Sequence, residues 1–153
     1  MKKILLFVFY IAISCHVSTV KAQGNADALM KQGQEFLANK EYVKARSTFL
    51  HAFNAFVAKG QSDKATYCGT RVASLYYREN YYKEAFDILR AADQCIVQGE
   101  QRNNSQRPDL RYATTKERLQ MYTRMRKASS AAEQISRLDA YANAAANDSL
   151  NKD

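Results

Sequence analysis

The chain has 153 residues, 46% of them apolar, and a formal net charge of +8; about 130 remain once an N-terminal leader is set aside, enough for one domain with a real core. A single proline and the lack of strand-like alternation exclude a sheet-rich fold and point to an all-α domain. The charge is uneven: residues 1–22 hold three Lys and no acid, 23–97 ten basic and eight acidic side chains, 98–127 eight and three, and 128–153 two and four, so the mature excess of +5 is concentrated in one stretch.

Lys2 and Lys3 precede the apolar run from Ile4 to Ser14, and Val20-Lys21-Ala22 supplies small or short residues at cleavage positions, the pattern of a secretory signal over residues 1–22. The run is too short to span a bilayer. Export to the periplasm or the extracytoplasmic face of a membrane is therefore expected, with Gln23 as the first mature residue. An uncut anchor is one alternative. Lipidation of Cys15 is another, although Ala12-Ile13-Ser14 lacks the Leu preferred three residues before a lipidated Cys.

The first mature helix is expected to open at Asn25 or Asp27 and end at Ala38, with Leu29, Gly33, Phe36 and Leu37 on its apolar side. A second runs from Glu41 to Ala58, and Gly60 lets the chain leave it in a left-handed conformation. A third spans Ser62 to Glu79 and a fourth Tyr81 to Val97, before a polar loop over Gln98 to Gln106. Pro108 fits the first turn of a fifth helix that ends near Arg126, with Tyr112, Leu119, Tyr122 and Met125 as its stripe. Ser130 and Glu133 have capping-box spacing for a sixth, whose face is Ala131, Ile135, Leu138, Tyr141 and Ala142; Asp148-Ser149 would open a further helix.

Gly33, Phe36, Tyr42, Ala45, Phe49 and Ala52 recur forty residues later as Ala73, Tyr76, Tyr82, Ala85, Leu89 and Ala92. A constant offset over six positions is the mark of a repeat, and the unit is a helix pair that buries its apolar face on the next. The three pairs cover approximately residues 26–60, 63–97 and 107–146, the last being degenerate: aligning Ala131 with Ala85 lengthens the offset to forty-six. The sixth helix keeps an apolar stripe where a repeat array needs a polar last face, so the array is expected to continue beyond it, and residues 23–153 alone to self-associate or fray there.

At these positions the chain resembles the tetratricopeptide repeat (TPR) family. It departs from the family pattern at Gly69, where a large aromatic is usual and looser packing is expected, and at Val57 and Val97, which replace the closing Pro. The resemblance implies an α-solenoid of three antiparallel helix hairpins. It also implies a peptide site on the concave face of the first helices, carried over to Asp27, Met30, Gln34 and Leu37 and to Tyr67, Thr70, Ser74, Tyr77 and Arg78. The Lys/Asn set by which some members clamp a C-terminal carboxylate is missing.

Chemistry-bearing motifs are absent from the mature sequence. His51 is its one histidine, on the exposed side of the second helix, and there is no metal-ligand spacing, nucleophile set or phosphate-binding Gly loop, so neither enzyme nor cofactor is expected. Cys68 and Cys95 fall at the same end of the second hairpin and could oxidise after export; the reading adopted is two small residues packed at separate interfaces, because helical pairs seldom meet disulfide geometry. Lys116, Arg124 and Lys127 can share a stripe suited to an acidic partner or lipid headgroups, and are read as a solvated face because aromatic interleaving is absent from it. Export argues against nucleic acid.

The expected function is non-catalytic interaction with a protein or peptide. As the family resemblance implies, the chain would be the extracytoplasmic sensory region of a histidine-kinase-type signalling protein, in contact with the membrane only through a downstream anchor. The alternative is a periplasmic adaptor, free or lipid-anchored at Cys15, that scaffolds envelope assembly.

Overall fold

The computed structural model describes residues 25–150; the leader, its cleavage site and Cys15 lie outside them. Six helices follow one another: α1 over residues 25–38, α2 Tyr42–Ala58, α3 Ser62–Arg78, α4 Tyr82–Asn103, α5 Pro108–Arg124 and α6 Ala128–Leu150. They pack as consecutive antiparallel pairs, giving three helix hairpins with contacts between pairs. α3 is central, lying against α2, α4 and α5, while α5 also meets α4 and α6.

The repeat positions carry this packing. Ala45, Phe49 and Ala52 in α2, and Ala73, Ala85, Leu89 and Ala92 in the second hairpin, are each completely buried. Gly33 is buried against the Phe49 ring, which lies 2.9 Å from where a Cβ would stand, so the small member of the pattern lets α1 approach α2 closely. Gly69 leaves no loose site: Phe53 and Ala92 close on it, with Phe53 Cε2 3.1 Å from where a Cβ would stand. An aromatic ring from α2, that of Phe53, fills the space beside it.

The period is finer than the forty-residue offset shows. Lys40, Gly60, Asn80 and Arg126 all have a left-handed backbone, with φ between 57° and 67°. Each ends its helix in the same three-residue turn, in which the next N–H donates to the carbonyl five residues back: Glu41 to Phe36, Gln61 to Phe56, Tyr81 to Tyr76 and Lys127 to Tyr122, at 2.8–3.0 Å. The acceptor residue is aromatic every time, and Phe36, Phe56 and Tyr76 stand at intervals of twenty.

Beyond Val97 the structure differs from expectation. α4 continues to Asn103, and the connection shrinks to residues 104–107, closed by a left-handed Asn104. Polar composition suggested a loop, yet tertiary contacts hold the helix: Gly99 is buried against Ser62, and Glu100 accepts the Arg107 backbone N–H at 2.8 Å and the Arg111 side chain. The extension sets the third hairpin's register, since α5 begins forty-six residues after α3 and α6 forty-six after α4.

The stripes of the last two helices are shifted as well. In α5 the buried residues are Thr114, Thr115 and Met121, while Tyr112 is 40% exposed. In α6 Gln134 is buried and Ile135 is 50% exposed. Asp148 and Ser149 lie in the final turn of α6 and open no new helix. The physical reason in α5 is its three neighbours, which bury more than one narrow stripe. Among the described residues no helix is long and apolar enough to cross a membrane.

Candidate functional site

The first helices of the three hairpins, α1, α3 and α5, lie side by side. Lys64 on α3 pairs with Asp27 on α1 at 2.7 Å, and Gln34 Nε2 donates to the Tyr67 hydroxyl at 3.0 Å. On the other side of α3, the Tyr77 hydroxyl donates to Gln120 on α5 at 2.7 Å. These cross-helix contacts align three faces, and a groove of ≈ 570 Å³ runs across them. Leu37 and Leu75 supply its apolar surface, Ser74 and Tyr77 its neutral polar groups, and Arg71, Arg78 and Arg124 its charge.

Each arginine rests on a tyrosine. The guanidinium carbon of Arg78 lies 3.8 Å from the Tyr42 ring centroid, that of Arg71 5.2 Å from Tyr67, and that of Arg124 6.0 Å from Tyr77. Stacking occupies the face of a guanidinium and leaves its N–H edge available. Arg124 also donates to the Arg78 carbonyl at 3.4 Å, and Arg78 and Arg124 both stand in a last helical turn, where a cation complements the helix dipole. Arg71 is in mid-helix and has no such local role.

Among the described residues the groove arginines, like Arg102 and Arg126, lack the carboxylate partners that several other arginines have. Arg46 pairs with Glu79, Arg107 with Asp63 and Asp109, Arg111 with Glu100, and Arg118 with Asp93. Among the described residues, Arg71, Arg78 and Arg124 have no carboxylate at ion-pairing distance, and all three are exposed. Arg71 and Lys116 are near enough for their charges to favour the Glu117 carboxylate, without a salt bridge to it. Burial pushes the Glu117 carboxyl above its usual range, and its Oε2 is enclosed without a donor.

The expected site residues divide into three groups. Ser74, Tyr77, Arg78 and Leu37 line the groove together. Gln34 and Tyr67 bond each other beside it, and Met30 packs half-buried against the core. Thr70 is buried, donates to the Tyr67 carbonyl at 2.8 Å and faces inward. Arg71 and Arg124 were missed. Arg71, Ser74 and Arg78 are spaced three and four apart, so they share one face of α3, a signal that periodicity alone contains. Arg124 was legible as part of a basic stripe, but its aromatic partner, Tyr77, comes from another helix.

Elsewhere in the basic segment, Arg107, Arg111 and Arg118 fasten α5 to the second hairpin, while Arg102, Lys116, Arg126 and Lys127 are exposed. Cys68 and Cys95 are free thiols, the first buried and the second half-buried. Burial pushes the Cys68 thiol from 9.0 up to about 12 and raises Cys95 in the same direction, which leaves both poor nucleophiles. His51 is exposed on α2. No known protein family, curated protein or solved structure matches this chain.

Proposed function

We propose that the chain is an exported, non-catalytic protein-interaction module of TPR type, acting as the extracytoplasmic sensory region of a membrane signalling protein. The observation that carries the reading is the groove across α1, α3 and α5, in which residues from all three hairpins line one surface. Its mixture of leucine, serine, tyrosine and arginine suits an extended peptide, with aromatic area for contact and short polar groups for adaptable hydrogen bonds. The leader-like N-terminus supports export.

Selection of random dodecapeptides displayed on phage against the full chain tests the interaction reading. Binders should be recovered whose capture is abolished by Ser74→Trp, a change that fills the groove. If every recovered binder ignores Ser74→Trp, the groove is not the interaction site and the reading falls. The coding sequence beyond Asp153 separates the sensory region from an adaptor: a membrane span followed by a kinase module supports the first, and an immediate stop codon overturns it.

A further inference from the structure

We propose that the groove recognises a protein segment bearing at least two Asp or Glu side chains, held by Arg71, Arg78 and Arg124. This deepens the interaction-module reading and rests on it. The guanidinium groups are exposed, shelved on Tyr67, Tyr42 and Tyr77, and without a carboxylate at salt-bridge distance among the described residues, although Glu117 is near enough to Arg71 for the two charges to interact. Holding three like charges around one groove is unfavourable unless an anion arrives, and stacking on aromatic rings reduces the entropy lost when one does. The N–H edges of Arg71 and Arg78, and those N–H groups of Arg124 not donated to the Arg78 carbonyl, suit contact with carboxylates.

Spacing narrows the ligand. Arg71 and Arg78 are seven residues apart on one helix, about 10 Å along its axis at ~1.5 Å per residue. An extended peptide rises about 3.3 Å per residue, so carboxylates about three residues apart match that separation. A single terminal carboxylate would engage one end of the set and leave the other arginine unneutralised. The leucines between the helices fit an apolar side chain placed between the acids. A bilayer surface is flat and makes poor contact with a groove floor, whereas an extended segment can lie along it.

The same dodecapeptide selection on the full chain provides the test. Groove-dependent binders should be enriched in Asp and Glu about three residues apart, and replacing both acids by Asn or Gln in a synthetic binder should weaken it by about tenfold or more, the loss of at least one charge-assisted hydrogen bond. Arg71→Gln, Arg78→Gln and Arg124→Gln should each weaken binding, and their combination should remove the preference for acids. Arg90→Gln, which alters the same charge outside the groove, should leave binding unchanged. The three arginines are exposed, so unchanged thermal melting of the variants excludes misfolding as the cause. Groove-dependent binders without acidic enrichment would sink this proposal and leave the interaction reading standing, whereas an absence of groove-dependent binders would sink both. Tighter capture of phosphatidylglycerol vesicles, or displacement of the peptide by low millimolar inorganic phosphate, would also overturn it in favour of a lipid or a free anion.

Discussion

Cys68 shows how burial turns a reactive side chain into a packing one. It stands within the core formed by α1, α2, α3 and α4, and its thiol is raised to about 12 because the thiolate would lose its water. Native protein at pH 8 should therefore react with a thiol reagent first at half-buried Cys95, and at Cys68 only on unfolding. The sign of the pH effect follows from the same shift. A folded-state value above the unfolded 9.0 means that the unfolded chain releases its proton first, so stability is intact below pH 9 and falls as pH rises toward 12. Mass spectrometry of alkylated peptides checks the order; equal labelling of the two thiols in native protein would contradict the packing described.

At the scale of elements, the repeated turn is where sequence and backbone are least in agreement. Gly60 suits its left-handed position, whereas Lys40 and Arg126 hold the same conformation with a side chain. Such a residue stores about 1 kcal/mol relative to glycine, so Lys40→Gly and Arg126→Gly should each stabilise the protein by about 0.5–1 kcal/mol. Gly60→Ala should destabilise by a similar amount, about 1 kcal/mol. Urea denaturation of the three variants reads these differences. Midpoints moving in the same direction for Lys40→Gly and Gly60→Ala would show that the turns are not equivalent.

Across the whole molecule the hairpins are joined by different physics. The first two share a large apolar core, while the third docks through Met121 against Ala73, Ala85 and Leu89, the Phe86–Tyr122 ring pair, and polar links from Arg111 to Glu100 and from Thr114 and Arg118 to Asp93. Met121→Ala should cost about 2–5 kcal/mol and fall chiefly on α5 and α6. Acid should act in the same place. The Arg111 hydrogen bond holds Glu100 below its ordinary 4.5, so the stability it contributes is present above pH 4.5 and is lost as pH falls through the lower folded value. Amide exchange should therefore rise in α5 and α6 before α2 and α3, both in Met121→Ala and on acidification. Simultaneous loss of protection in all six helices would show one cooperative unit instead.

The sequence by itself determined the helix pairs and much of their core, because small and aromatic residues at helical spacing leave few ways to bury Ala45, Phe49, Ala85 and Leu89. The resemblance carried by the repeat positions also pointed to Leu37, Ser74, Tyr77 and Arg78 of the groove lining. Tertiary structure decided the rest. Residues 98–103 are helical because Glu100 meets Arg111 and Gly99 meets Ser62, contacts between segments that no local pattern relates. Met121 rather than Tyr112 enters the core because α5 has three neighbours, whose directions only docking sets. Whether an arginine pairs with a carboxylate or rests on a ring was decided in the same way: Arg118 and Arg124 are six residues apart on one helix, yet the first finds Asp93 and the second finds the Tyr77 ring, because the fold brings a different helix to each.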